Sequence, residues 1–195
     1  MSTLKTTNIT HGSNSGTANV SLASNGNVTV AGALSAGSYS GLPASGLFSS
    51  YAFIEDVKGD DVHGGTFTSG DWRTRDLNTE TFDPDGIVSI SSNQFTLGAG
   101  TYFIKWIAPV REVVHHQSRL YNTTDSSVAG VGTSEYSDIS NIGNSSSGKA
   151  RTTISGSKVF EIQHRCSATK ATLGYGVAAA FGGEHYTQVE IYKEA

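Results

Sequence analysis

Phe95-Thr-Leu-Gly-Ala-Gly-Thr-Tyr-Phe-Ile-Lys-Trp-Ile-Ala108 holds two apolar runs split by the glycines at 98 and 100. Beyond the glycines, Tyr102, Ile104 and Trp106 occupy every second position, the spacing that lines one face of a β-strand. Glycines between two such runs read as a tight turn. The same texture continues outward in both directions. Strands are expected at Tyr51–Val57, Ile87–Ser91, Gln94–Leu97 and Thr101–Ala108, then at Val110–Asn122, Ala150–Ile154, Lys158–Cys166, Ala171–Phe181 and Tyr186–Tyr192. Two further core rows are expected, one of Phe160, Ile162 and His164, the other of Leu173, Tyr175, Val177, Ala179 and Phe181. Between Asp125 and Lys149 the chain turns rich in Ser and Gly and reads as a long excursion outside the strands. Seven to nine strands with turn signals between them and no helical periodicity indicate an all-β, antiparallel sandwich or barrel.

Composition agrees. The 195 residues include 23 Gly and 3 Pro, with 36% hydrophobic and 15% charged residues. Glycine weakens helix interiors, and Ser, Thr and Asn compete with helical hydrogen bonds. A formal charge of −4 without a basic tract argues against nucleic acid as the main partner. A single cysteine, Cys166, rules out a disulfide framework within the chain. Met1-Ser-Thr-Leu lacks the apolar core of a secretory signal, so synthesis in a cytosol is expected, and no apolar run is long enough for a spanning helix.

Residues 1–48 differ from the rest: they are small and polar, with isolated apolar positions. Ala18, Val20 and Leu22 share one face, and Val28 and Val30 follow the turn-like Asn25-Gly26-Asn27. One copy buries little with these, whereas several copies wound together bury a seam. The segment therefore reads as an extended, β-rich stalk or docking arm ending in a flexible neck, and residues 49–195 read as the head.

Phe95-Thr-Leu-Gly-Ala-Gly-Thr-Tyr102-Phe103-Ile resembles the central Phe…Gly-X-Tyr-X-Phe hairpin of the C1q/TNF-like jelly rolls, with Gly100 in the turn. The opening Tyr51-Ala-Phe-Ile and the closing Val189-Glu-Ile-Tyr192 fit that layout. Ser2-Thr-Leu-Lys-Thr-Thr-Asn-Ile-Thr-His11 and Ser21-Leu-Ala-Ser-Asn-Gly-Asn-Val-Thr-Val-Ala-Gly-Ala-Leu34 resemble the opening of structural fibre proteins of marine, notably cyanobacterial, phages. The resemblances imply a homotrimeric jelly-roll head on a tail or virion fibre, made in the host cytoplasm and carried on the virion. Its partners would be other virion proteins at the N-terminal arm and a glycan or protein at the host surface, with neither nucleic acid nor membrane insertion.

In Val110–Asn122 the adjacent His115 and His116 point to opposite faces of a regular strand, so the two cannot chelate one metal. One face groups Arg111, Val113, His115, Gln117, Arg119 and Tyr121. In a trimer, Arg111, His115, Gln117 and Arg119 become candidates for the three-fold axis or a subunit boundary, where three copies of His115 could hold a cation. Asp56, Asp60, Asp61 and His63 lie among glycines and offer a weak hard-cation loop, so a structural cation is the one cofactor entertained. His164 and Cys166 share a face with Phe160 and Ile162, which marks a packed histidine and thiol more than a nucleophile pair. Glu80, Asp83 and Asp85 have nothing to fix a glycosidase separation. Phe67, Trp72, Tyr136 and Tyr186, with Arg73 and Arg75, are the candidates for recognition, because aromatic faces stack on sugar rings and arginine satisfies acidic groups. The expectation is a non-enzymatic fibre protein. The alternatives are a capsid decoration or cement protein and, with less support, a polysaccharide-degrading enzyme.

Overall fold

A computed structural model describes residues 8–9, 20–22, 24, 27–30, 46–138 and 140–195. They fall in two compact units, Met1–Pro43 and Ala44–Ala195. In the first unit, β1 (Asn8–Ile9), β2 (Val20–Leu22) and β3 (Val28–Val30) pair antiparallel in that order, with Val20 opposite Val30. The expected neck, residues 31–43, and Ala18 of the expected apolar row lie outside the described residues.

The second unit is all-β, and no helix occurs among its described residues. Its strands are β4 (Phe48–Lys58), β5 (Arg73–Thr74), β6 (Thr79–Phe82), β7 (Val88–Ser91), β8 (Gln94–Leu97), β9 (Gly100–Arg111) and β10 (Val114–Asn122). They continue as β11 (Ser127–Ser137), β12 (Gly143–Ile154), β13 (Lys158–Cys166) and β14 (Glu184–Glu194). Two antiparallel sheets face each other. One runs β11-β10-β13-β8-β7, with β5 also on β13; the other runs β12-β9-β14-β4-β6. Their inner rows make one core that includes Ile54, Phe95, Tyr102, Ile104, Trp106, Leu120, Phe160, Ile162 and Ile191. Each such side chain contributes about 1.5–3 kcal/mol by leaving water. The two-residue period predicted for Tyr102, Ile104 and Trp106, and for Phe160, Ile162 and His164, is the period of burial.

Four expectations are corrected. Phe95–Ile104 is not a hairpin: β8 and β9 belong to different sheets, and the glycines form a corner between them. The Tyr102 hydroxyl donates to the Gly98 carbonyl at 3.1 Å and pins that corner. Val110–Asn122 is not one strand either. Arg111 ends β9 in one sheet, β10 begins in the other at Val114, and the chain turns through Glu112 (φ 55°) and Val114 (φ 64°). The crossover carries no Gly or Pro to announce it. Arg111 therefore does not share a face with His115.

The Ser/Gly-rich segment is not an excursion, because it supplies most of β11 and β12, two of the longest strands. Two of its glycines make room beside Trp106: a Cβ on Gly148 would sit 2.0 Å from Trp106 Cζ2, and one on Gly130 2.7 Å from Ala150 Cβ and 3.2 Å from Trp106 Cη2. Ala171–Phe181 is a folded loop rather than a strand. A Cβ on Gly174 would meet the Phe67 backbone nitrogen at 2.6 Å, and Thr172, Gly176 and Ala180 have positive φ. Val177 and Phe181 are consequently exposed instead of forming a core row.

Candidate functional site

On β10 the outward positions from His115 onward are His115, Gln117, Arg119 and Tyr121, as the period of two requires. β11 brings Ser134 and Tyr136 alongside, β13 brings Arg165, and the loop before β5 brings Trp72. These surround a groove of about 670 Å³ on the outer face of the sheet, lined by Trp72, His115, Gln117, Ser134, Tyr136 and Arg165 among others. His115 packs against Tyr136, ring centroids 5.1 Å apart. The Arg119 guanidinium lies over Trp72 at 4.0 Å and near Tyr121 at 4.9 Å, and its Nε donates to Gln163 Oε1 at 2.7 Å. Gln117 donates through Nε2 to the Gly132 carbonyl at 3.1 Å and to Ser134 Oγ at 2.9 Å. The groove wall is thus held by bonds within the sheet before any ligand arrives.

Behind this wall lies a polar chain. Asn144 donates through Nδ2 to the Tyr136 carbonyl at 3.0 Å, which orients its amide so that Oδ1 accepts from His116 Nε2 at 2.8 Å. His116 Nδ1 must then accept, and His164 Nε2 donates to it at 3.0 Å. Both rings are neutral in this arrangement. Burial holds His116 below its ordinary value and His164 well below it, with the Arg75 guanidinium and His116 adding to the effect on His164. His164 Nδ1 is left buried without a partner. Cys166 donates to the Ala168 carbonyl at 3.3 Å, and burial pushes its thiol up to about 11. A thiol so protonated, beside a histidine bonded to another histidine, is not an activated nucleophile.

The sequence candidates are divided by the fold. Trp72 and Tyr136 border the groove, whereas Arg73 is exposed in β5 opposite His164 and does not line it. Phe67 and Arg75 are fully buried and Tyr186 nearly so, which removes them from any exposed recognition surface. Phe67 instead packs on His164 and Tyr175, with centroids at 5.0 and 4.6 Å. Arg75 donates to Thr187 Oγ1 at 2.7 Å and to the Tyr175 carbonyl at 3.1 Å. Its desolvated guanidinium is lowered to about 10, still a cation at neutral pH. Of the expected axial set, His115, Gln117 and Arg119 share the groove face, whereas Arg111 bonds Glu112 and Asn141 at the end of β9.

The loop carboxylates do not converge on a cation. Asp60 accepts from the Gly182 amide, His63 from the Ala178 amide, and the Asp61 amide donates to Glu184. Among the described residues no three acidic, His or Cys side chains form a metal-holding group. Glu80, Asp83 and Asp85 are likewise dispersed: Asp83 accepts the Ile87 and Val88 amides, and Asp85 the Ser50 hydroxyl.

One surface went unnoticed in the sequence. The outer face of the β9, β14 and β4 sheet carries Phe48, Tyr51, Phe82, Phe103 and Tyr192 in a chain of ring contacts, including Phe48–Tyr192 and Tyr51–Phe82 at 5.0 Å each. Tyr51 is 50% exposed and Phe82 42%. The signal was present, since Tyr102 and Ile104 facing inward oblige Phe103 to face out.

Neither a family model nor a curated protein matches this chain. Solved structures do. The globular domain of zebrafish complement 1qA protein aligns at 15% identity over 73% of this chain and 95% of its own, with a TM-score of 0.46. Murine APRIL aligns at 8% identity over 74% of this chain and 98% of its own, with a TM-score of 0.50 for the structure at pH 5.0 and 0.48 for that at pH 8.0. At these identities the likeness concerns the fold alone, and the APRIL structure at pH 5.0 carries it. The second unit is a jelly roll of the C1q/TNF kind.

Proposed function

We propose that the protein is a non-enzymatic, homotrimeric binding protein whose jelly-roll head presents the Trp72–Tyr136 groove to a ligand at a host surface. The observation that carries this reading is the division of labour between the two outer sheet faces. One face holds a preformed groove of aromatic and hydrogen-bonding side chains. The other holds an aromatic row of the kind a monomer rarely leaves in water. Copies of the chain cover that row by meeting around a three-fold axis, which leaves three grooves facing outward. Avidity then multiplies three weak contacts, because linkage raises the effective concentration of the second and third. His116 and His164 are bonded to each other, and Cys166 donates to the Ala168 carbonyl.

The particular setting we propose, on the phage-like opening segments of the sequence, is a tail or virion fibre docked through the N-terminal unit. Adsorption to cyanobacterial cells tests it. Purified protein carrying Trp72→Ala and Tyr136→Ala is expected to lose about tenfold or more in cell adsorption with its melting temperature unchanged. Equal adsorption by the double variant contradicts the groove reading, and a gain in capsid stability without cell adsorption points to a decoration protein instead.

A further inference from the structure

The six arginines of this chain are not distributed evenly between paired and unpaired states. Arg111 and Arg151 form ion pairs with Glu112 and Glu194, Lys170 shares Glu112, and Lys58, Lys105 and Lys158 pair with other carboxylates. Among the described residues Arg73, Arg75, Arg119 and Arg165 have no carboxylate within ion-pair distance, and neither do Lys149 and Lys193, which lie on the other sheet. The four arginines all belong to β5, the residue after it, β10 or β13. Register brings two of them to one face, Arg119 opposing Gln163 and Arg165 opposing Gln117, whereas Arg73 opposes the inward His164.

Arg165 lines the groove and Arg119 lies over its Trp72, both with donors to spare. Arg165 uses one nitrogen on the Gly70 carbonyl at 3.3 Å, and Arg73 uses its Nε on the Thr68 carbonyl at 3.4 Å. Arg119 is spread over Trp72 with only its Nε committed. A guanidinium has five N–H donors in a planar fork that suits carboxylate and sulfate, so each retains most of its capacity. Arg75, buried behind them with Nη1 unpartnered, adds positive potential from inside. Three carboxylates lie nearby, none of them in an ion pair with these arginines. Glu135 lines the groove, Asp71 accepts the Trp72 amide at 2.8 Å, and Glu161 is occupied by Gln94 and Gln163. This concentration of unpaired cations lies on a chain whose formal charge is −4.

We infer that the groove takes an acidic saccharide: sugar rings stack on the Tyr136, His115 and Trp72 side, while carboxylate or sulfate groups reach Arg165 and Arg119. Gln117 anchors its amide nitrogen on Gly132 and Ser134, which leaves its Oε1 to accept from a sugar hydroxyl. Flat rings beside fixed amide and hydroxyl groups suit a saccharide. The inference rests on the groove being the ligand site.

Titration calorimetry on the intact protein tests it with three probes: an oligogalacturonide, the same oligomer fully methyl-esterified, and a sulfated heparin oligosaccharide of matched length. At least one acidic probe is expected to bind, to weaken in about 0.5 M salt, and to exceed the methyl ester by about tenfold or more. The carboxylate and sulfate probes distinguish the two sources of charge. Arg165→Ala, at an exposed position of the groove lining, is expected to lower affinity by about tenfold or more at unchanged melting temperature, while Lys158→Ala leaves it intact. Equal binding of acid and ester, no binding of either acid, or indifference to Arg165→Ala overturns the inference. If that happens while Trp72→Ala and Tyr136→Ala still abolish cell adsorption, the groove reading survives. If adsorption is indifferent to those residues as well, both fall.

Discussion

Gly148 faces the indole of Trp106 so closely that a methyl group there would overlap Cζ2. The indole nitrogen donates to Ser118 Oγ at 2.8 Å, and Ser118 is bonded to Ser146, whose hydroxyl reaches the Thr133 carbonyl. The large side chain and its polar handle are therefore both satisfied by small residues on facing strands. Gly148→Ala is expected to destabilise the protein by about 1–3 kcal/mol through overpacking, read as a lower urea midpoint at unchanged slope. His116 and His164 give a second expectation at this scale. Both are held below the ordinary 6.5, so the unfolded chain takes up protons more readily than the folded one. Their contribution to stability is complete above about pH 6.5 and is lost as pH falls below it. The melting temperature is expected to drop from pH 7.5 to pH 5, and to drop less in His164→Leu; an equal drop in that variant contradicts the assignment. The opposite fates of His115 and His116 were legible, because a strand alternates. The bond to Asn144 was not, since that residue arrives from a segment that read as a loop.

Among the elements, the loop between β13 and β14 departs furthest from its sequence. Alternating Leu173, Tyr175, Val177, Ala179 and Phe181 read as a core strand, yet Phe181 is 97% exposed. Periodicity registers spacing and is blind to the close approach that Gly174 and Gly176 permit, which folds the chain over Phe67 and Tyr186. The loop is fastened by Glu184, whose carboxylate accepts the Ala179 and Ala180 amides at 2.9 and 2.7 Å. Those two bonds hold its carboxyl below the usual range. Glu184→Gln is expected to speed hydrogen exchange of these two amides by about tenfold or more, with β9 and β4 unaffected. β9 itself was legible almost to its end because it alternates without interruption. Its crossing into β10 was hidden because Arg111-Glu-Val-Val114 turns with no Gly, Pro or Asn to mark the bend.

Over the whole molecule, the jelly roll was legible from strand count, turn spacing and the Phe95–Ile104 resemblance, and the inward rows followed from alternation. What each outer face does was less visible, because cross-strand neighbours there come from strands far apart in sequence: Phe48, Phe103 and Tyr192 on one side, Trp72, Tyr136 and Arg165 on the other. By sequence the His115 face is a candidate for a subunit boundary. The exposed aromatics lie on the opposite sheet, and it is there that a charge should break self-association. Tyr51→Glu is accordingly expected to give a folded protein that no longer assembles, while Tyr136→Ala assembles normally. Light scattering coupled to gel filtration measures this in one series. The intact chain and Tyr136→Ala are expected at about three times the 20.4 kDa chain mass, with Tyr51→Glu at one chain mass; an intact protein that elutes as a stable 20.4 kDa monomer contradicts the proposed division between an assembling face and a binding face.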